Sequence, residues 1–481
     1  MKNCINPRSH ICDSAFYRKG YTTDEARQIF CDRRRLQRWL DVENALAQCQ
    51  ARLGMIPEEA ADILSKTASI NELDLTAIQK DIAETGHSLI PLLNAWQNNS
   101  PIEAARFIHY GATTQDIQDT AQSLELKDIF QIIERDLAFI LGALAQLAEK
   151  HKNLPIIGRT HGQPALPTTL GLKIAIWIDE LFRNITRLKE AKPRVLVSQL
   201  FGGVGSMDAF GDKGMQLLEL FSENLGLNAP HTAWHAARDR TSEFLCCLAL
   251  ISGNLAKIAN EICQLARDEI GELEEPFHMG KIGSTTMPHK RNPEQCEQVV
   301  VLARLIKNCA STGFETLINE HERDYRAVRL EWAIVTDACL YTCGLLDHMK
   351  NILPKLLVHE DRIMANFEKS ACLLSTETLM FLLGEQIGKQ NAHKLIYEVS
   401  MHARSSDRHL VELLMEQPEI KEKFTLKQLQ EAIKPAMHIG TSVQITENLV
   451  KSVESFLGGR TDKNIEKISC PLAGKGEGCS P

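Results

Sequence analysis

Apolar residues recur at three- and four-residue intervals over two unusually long stretches of this chain. From Thr120 to Lys152 they fall at Leu126, Ile129, Ile133, Leu137, Ile140, Leu144 and Leu147, one stripe of a helix. Gly142 is the sole glycine there, and Pro155 ends the span because proline lacks an N–H and clashes with the preceding turn. From Thr241 to Glu275 the pattern repeats through Leu245, Leu248, Leu255, Ile258, Ile262, Leu265 and Ile270. Both stretches far exceed the mean helix of about twelve residues, so the middle of the chain is expected to be a long-helix bundle. Up to about residue 110 the helical stretches shorten, punctuated by Gly54, Pro57, Gly86, Pro91 and Pro101, and they shorten again after Pro354. From Gly458 onward little remains to bury, and a disordered tail over 458–481 is expected. Strand signals are few. Ile156–Ile157 and Val195–Val197 are the best of them and predict at most a minor hairpin, so the expected class is all-α.

Composition narrows the class of function. The 481 residues are 44% hydrophobic and 24% charged, an ordinary globular balance, and the length calls for two to four domains. A net charge of −8 argues against a nucleic-acid or membrane-surface protein, which would need a basic face. The basic run Asp32–Arg38 reads as a helix face carrying ion pairs. Fourteen cysteines show neither zinc-ligand spacing nor a disulfide framework, so free thiols in a reducing compartment are expected. No signal-peptide core and no run of about 18 apolar residues is read. A cytoplasmic protein is the expectation.

Three polar, glycine-containing segments interrupt the helical background. His109–Thr120 precedes the first long helix, where Thr113, Thr114, Gln115 and free backbone N–H groups favour a carboxylate or phosphate; the same residues also suit an ordinary N-cap. Gly158–Gly171 sets His161 between Thr and Gly, ahead of two prolines, in a rigid loop leading into another helix. Imidazole titrates near neutral pH and suits acid–base work there, or serves as a hydrogen-bonded fixture. Gly283–Pro293 combines a flexible start with Lys290, Arg291 and Asn292, as a lid over an acidic substrate or a basic surface loop would.

Taken together, in order and wording, these segments resemble the fumarase/aspartase superfamily. Its Gly-Ser-Ser-x-Met-Pro-x-Lys-x-Asn-Pro signature reads here Gly283-Ser-Thr-Thr-Met-Pro-His-Lys-Arg-Asn-Pro293. The Pro-His-Lys-Arg-Asn-Pro ending is similar to the adenylosuccinate lyase and carboxymuconate-cycloisomerase branch, as are Gly158-Arg-Thr-His-Gly162 and Gly111-Ala-Thr-Thr-Gln-Asp116. The resemblance implies three helical domains (1–112, 113–360 and 361–457), with the central bundles of four subunits packed into one core and active sites shared between chains. It implies no metal and no organic cofactor.

By the same resemblance the chain removes a proton beside a carboxylate and expels an amine or oxygen from the next carbon, through an aci-carboxylate that preorganised donors must stabilise. Ser284 is then the base, its pKa lowered by loop N–H donors and Lys290. Lys290 and Asn292 bind one carboxylate, Thr113, Thr114 and Gln115 the other. His161 protonates the leaving nitrogen or orients the group that does, and His87, in Glu84–Ser88, helps hold the substrate. Two regions depart from the adenylosuccinate lyase pattern. Its Arg-Tyr pair reads Gly20-Tyr21 here, and His321-Glu-Arg323-Asp324 continues with Arg326, Arg329 and Glu331-Trp332, closer to the cycloisomerases. Arg326 and Arg329 would form a replacement anion site or lie solvated. The leading expectation is a fumarate-releasing lyase on an N-succinyl compound such as adenylosuccinate, a di- or tricarboxylate. The alternatives are a lactonising cycloisomerase and a non-catalytic structural homologue.

Overall fold

The computed structural model describes residues 9–278, 280–406 and 408–458. The expected tail lies outside them, apart from Gly458, which closes the last helix. The centre is a bundle of long helices: α1 Asp32–Arg52, α2 Thr114–Lys150, α3 Leu170–Val195, α4 Asp239–Leu265, α5 Glu294–Glu315 and α6 Tyr325–Ile352. The last described helix, α7 Ser442–Gly458, packs back on α2 and α3.

The bundle helices alternate in direction. Arg238, just before α4, meets Asp119 in the first turns of α2, so these two helices start at one end. At the far end α5 begins where α4 finishes, with the Gln295 and Cys296 N–H groups on Glu275. The end of α5 returns to the start of α4, where Ser242 Oγ donates to the Gly313 carbonyl at 2.7 Å. The end carrying Thr113 is called the proximal end below, and the one carrying Glu275 the distal end. With 27 residues in α4 and a rise of about 1.5 Å per residue, the two lie roughly 40 Å apart.

The helix lengths follow from local chemistry. Expected from Thr120, α2 begins at Thr114 because Asp116 accepts the Thr113 N–H at 3.0 Å and caps the first turn. Expected to reach Glu275, α4 stops at Leu265 instead. Gly271 adopts φ +63°, and the Glu272 N–H reaches back to the Leu265 carbonyl. That turn carries the Glu272 carboxylate to Arg159, at 2.7 and 2.9 Å. One 18-residue window of α4 is apolar enough to cross a bilayer by length and composition, which the sequence reading above passed over, but 67% of it is buried in the bundle.

The minor hairpin is β1 (Pro155–Thr160) against β2 (Gln163–Thr169), antiparallel. It occupies the segment read above as a rigid loop. His161 (φ 52°) and Gly162 (φ 76°) form its two-residue turn, the double positive φ that matches the twist of the flanking strands. Val195–Val197 is not a strand: Val195 ends α3 and Val197 makes an isolated bridge to Asn228. A second short pair joins β3 (Leu273–Glu274) to β4 (Leu357–Val358) at the distal end.

One hydrophobic core runs from Cys12 through the bundle to Ile363 and takes in Val450 and Val453 of α7. A second, smaller core lies within Leu379–Ala432. By packing, therefore, the N-terminal helices and α7 share the core of the bundle, and the separate unit is the segment between. The basic run Asp32–Arg38 does carry ion pairs. Arg35 grips Glu125 at 2.9 and 3.1 Å and Arg38 pairs with Asp128, riveting α1 to α2. The eleven cysteines among the described residues are free thiols.

Candidate active site

The residues singled out in the sequence form two groups, one at each end of the bundle. At the proximal end, Thr113 sits half-buried just before α2, and Arg323, 210 residues away, donates to its hydroxyl at 2.7 Å. The same guanidinium reaches the Gly203 carbonyl at 3.3 Å. Thr114 is half-buried beside them, while Gln115 is buried and donates to Asp119 (3.1 Å) and to the His235 carbonyl (3.0 Å). His87 follows a left-handed Gly86 and accepts the Leu89 and Ile90 N–H groups at 3.2 and 3.1 Å, capping the next helix. Its neighbour Ser88 accepts from Gln118 at 2.7 Å, which fixes the segment to α2.

Arg326 is already engaged. It lies against both oxygens of Asp324 at 2.9 and 3.1 Å and meets Glu320 at 3.1 Å. Those bonds hold the Asp324 carboxyl down at about 2, Arg326 being the main cause. Arg329 stacks on the Tyr325 ring, 4.7 Å from its centroid. Of the three expected arginines, Arg323 is the one that touches Thr113.

At the distal end, the loop Gly283–Pro293 folds on itself. Ser284 Oγ accepts the N–H groups of Met287 (3.0 Å) and Thr286 (3.3 Å). Two donors on one hydroxyl oxygen favour its ionised form. Asn292 closes the loop by donating to the Gly283 carbonyl at 2.6 Å, and Arg291 ties it to Glu274 at 3.0 Å. Lys290 is exposed. Glu275, buried under the loop, accepts from Lys281 at 2.8 Å as well as from α5. A cleft of about 900 Å³ opens here, with Lys290, Arg291 and Asn292 on one wall and Cys263, Arg267 and His359 among the others. His161 is exposed at the hairpin turn. Through Arg159 and Glu272 that hairpin is anchored one residue from β3, so His161 belongs to this end. Tyr21 does too: Gln298, near the start of α5, donates to the carbonyl of the preceding Gly20 at 2.8 Å.

The sequence reading missed a buried polar ladder at the proximal end. Arg238, 1% exposed, is clamped between Asp119 (2.8 and 3.1 Å) and Glu331 (2.8 Å). Burial works against its charge, but the two carboxylates outweigh burial and raise its pKa. Asp116 meets His235 at 2.9 Å and the Phe201 and Gly202 N–H groups at 3.0 and 2.9 Å. Nearby, His109 Nδ1 sits 2.6 Å from Glu43. Burial lowers its pKa, yet the bond to Glu43 prevails and the net shift is upward. A signal was present: Asp116, Asp119, Gln122 and Glu125 recur every three residues along the first turns of a long helix, and such polar positions need partners when buried.

Residues 18–307 match the family described as Lyase, and residues 373–449 match the adenylosuccinate lyase C-terminus. The chain belongs to the fumarase/aspartase lyase family. Relatives extend over nearly its whole length. N-acetyl-S-(2-succino)cysteine lyase of Enterococcus italicus is 41% identical, covering 90% of this chain and 95% of that protein. Adenylosuccinate lyase of Methanocaldococcus jannaschii is 37% identical, covering 90% and 95%. Among solved structures, 3-carboxy-cis,cis-muconate lactonizing enzyme from Pseudomonas putida superposes with a TM-score of 0.85 at 34% identity, covering 92% of this chain and all of that one. The all-α expectation and the family resemblance both hold.

Proposed function

We propose that this lyase eliminates a thiol from an S-succinyl compound of the N-acetyl-S-(2-succino)cysteine type, releasing fumarate. The observation that carries the reaction type is Ser284, whose hydroxyl accepts two backbone N–H groups in a loop that also bears Lys290 and Asn292. In this reading Ser284 takes the proton from the carbon beside one carboxylate. Lys290 and Asn292 stabilise the aci-carboxylate that forms. The C–S bond then breaks, the electron pair leaving on sulfur. A thiolate, the conjugate base of a group with pKa about 8.5, departs readily, so the demand on His161 as an acid is small.

The substrate class is supported by two S-succinyl lyases at 41% and 40% identity, each matched over at least 95% of its length. It is supported too by Arg326, whose Nε and Nη2 already face Asp324 and Glu320, carboxylates that disfavour a nucleotide phosphate beside them. Adenylosuccinate is the second reading, favoured by the match of residues 373–449 to the adenylosuccinate lyase C-terminus.

We further infer a homotetramer with shared sites. Thr113 and Ser284 stand at opposite ends of one bundle, roughly 40 Å apart by the length of α4, too far for one substrate to touch both within a chain. Phe139, Ile176, Leu250, Val301 and Phe314 leave apolar surface exposed on α2 to α5, suited to antiparallel packing against other copies. The test is to offer the purified protein N-acetyl-S-(2-succino)cysteine, adenylosuccinate and 3-carboxy-cis,cis-muconate separately, following fumarate, free thiol and lactone. Fumarate and thiol in equal amounts from the first compound are expected. Preference for adenylosuccinate, or lactone formation, would overturn the substrate assignment, and a monomer in solution that remains active would overturn the shared site.

A further inference from the structure

His235 lies in the segment leading into α4 and is 1% exposed. Its Nε2 stands 2.9 Å from Asp116, whose carboxylate is fully buried and also receives the N–H groups of Thr113, Phe201 and Gly202 at 3.0, 3.0 and 2.9 Å. Those three amides come from the two loops that form the proximal group, and Arg323 bridges the same loops from outside through Thr113 Oγ and the Gly203 carbonyl. Asp116 is thus the hub at which both loops are tied, and His235 is its one side-chain donor among the described residues.

We propose that His235 is a positioning residue for this half of the site. Donating Nε2–H to Asp116, it completes the carboxylate's donors and holds the Thr113 loop and the Phe201–Gly202 loop in register to receive the substrate's second carboxylate. This rests on the proposed role of Thr113 and Thr114 in binding that carboxylate.

Two details separate this from simple packing. His235 Nδ1 is buried without a partner among the described residues, a desolvation cost that an apolar ring of similar size would avoid. A histidine kept under that penalty is kept for its other nitrogen. Its backbone, moreover, is held independently. Gln115 donates to the His235 carbonyl at 3.0 Å, and Trp234 N–H reaches Gln199 Oε1 at 3.0 Å. The ring can therefore be exchanged without releasing the segment that carries it.

The test compares His235→Phe, which keeps the ring but removes the donor, with His235→Gln, whose amide can donate to Asp116. In the Phe variant, KM and the Kd for fumarate should each rise about tenfold while kcat stays within about threefold, the split expected when ground-state binding is lost. The Gln variant should return both to within about threefold of the parent. By hydrogen exchange, peptides spanning 109–116 and 198–205 should exchange faster in the Phe variant and normally in the Gln variant. A Phe variant with unchanged binding and exchange, or a Gln variant as impaired as Phe, overturns the proposal. Should the Phe variant fail to fold, Asp116→Asn takes its place, and normal exchange in both loops would then count against the hub. If the parent protein releases no fumarate, the functional reading fails, while the exchange comparison still decides the role of His235.

Discussion

The proximal and distal groups are built on different principles. At the proximal end the main anchors are buried: Asp116 under four donors, Arg238 between two carboxylates, Gln115 bonded on two sides. At the distal end the loop is bonded chiefly to itself, through Ser284 to residues 286 and 287 and through Asn292 to Gly283. The first arrangement cannot shift without unpaired charge being left in the core. The second can rearrange at the cost of a few exposed hydrogen bonds. On the proposed function, a fixed receptor at one end and a self-contained reactive loop at the other is the division that a closing site requires.

Substitutions can break that division. The largest effect on catalysis is expected from Ser284→Ala, a loss of roughly 10²–10⁴ in kcat, the usual range for a general base. Helical circular dichroism should not change, since the loop supports no core contact; near-normal turnover would remove Ser284 from its role. The largest effect on stability is expected from Arg238→Met, which leaves Asp119 and Glu331 buried without their cation and should cost about 3–5 kcal/mol. Urea denaturation measures it, and a loss below about 1 kcal/mol would mean that the ladder does not hold the proximal end.

A subtler change probes the loop alone. At Gly283 a Cβ would stand 2.0 Å from the Lys290 carbonyl oxygen, so Gly283→Ala must open the closure between Gly283 and Asn292. Turnover should fall by about 10²-fold, as for a displacement of about 1 Å in a catalytic group, with the melting temperature unchanged. A fall in melting temperature instead would show the loop to be part of the structural core.

The smallest effect concerns pH. His109 is raised above its ordinary value of 6.5 by Glu43. Its contribution is therefore complete below pH 6.5 and is lost as pH rises through the higher folded value. Between about pH 6 and about pH 9 the parent should lose more thermal stability than His109→Gln, in which the pair is absent. Equal losses in the two proteins would leave His109 without a part in anchoring the proximal loop.

Much of this was legible before the structure. Periodicity located α2 and α4 because a bundle must bury a stripe on each helix. The Gly283–Pro293 wording carried the reaction class. The hairpin was half legible: Ile156–Ile157 marked β1, but β2 was hidden because Pro164, Ala165 and Pro167 do not alternate as a strand does, and a turn of two positive-φ residues at His161 and Gly162 creates the pair. The end of α4 was misplaced since apolar spacing continued through Ile270 while Gly271 redirected the chain. Nor did His235 stand out, for its meaning comes from Asp116, 119 residues away. Sequence patterns report local periodicity well, and long-range partners only when both members look odd where they stand.

The span of α4 also bears on how such a chain can change over generations. Within one chain, residues at its two ends share no direct contact, so their effects on folding stability should add, while in the proposed tetramer they meet only through the substrate. On the proposed roles, a lineage could retune which acid is received near Thr113 without loosening the fold around Ser284, or the reverse. Stability at each end can then be tuned separately, which gives descendants of one bundle a short path to new substrates.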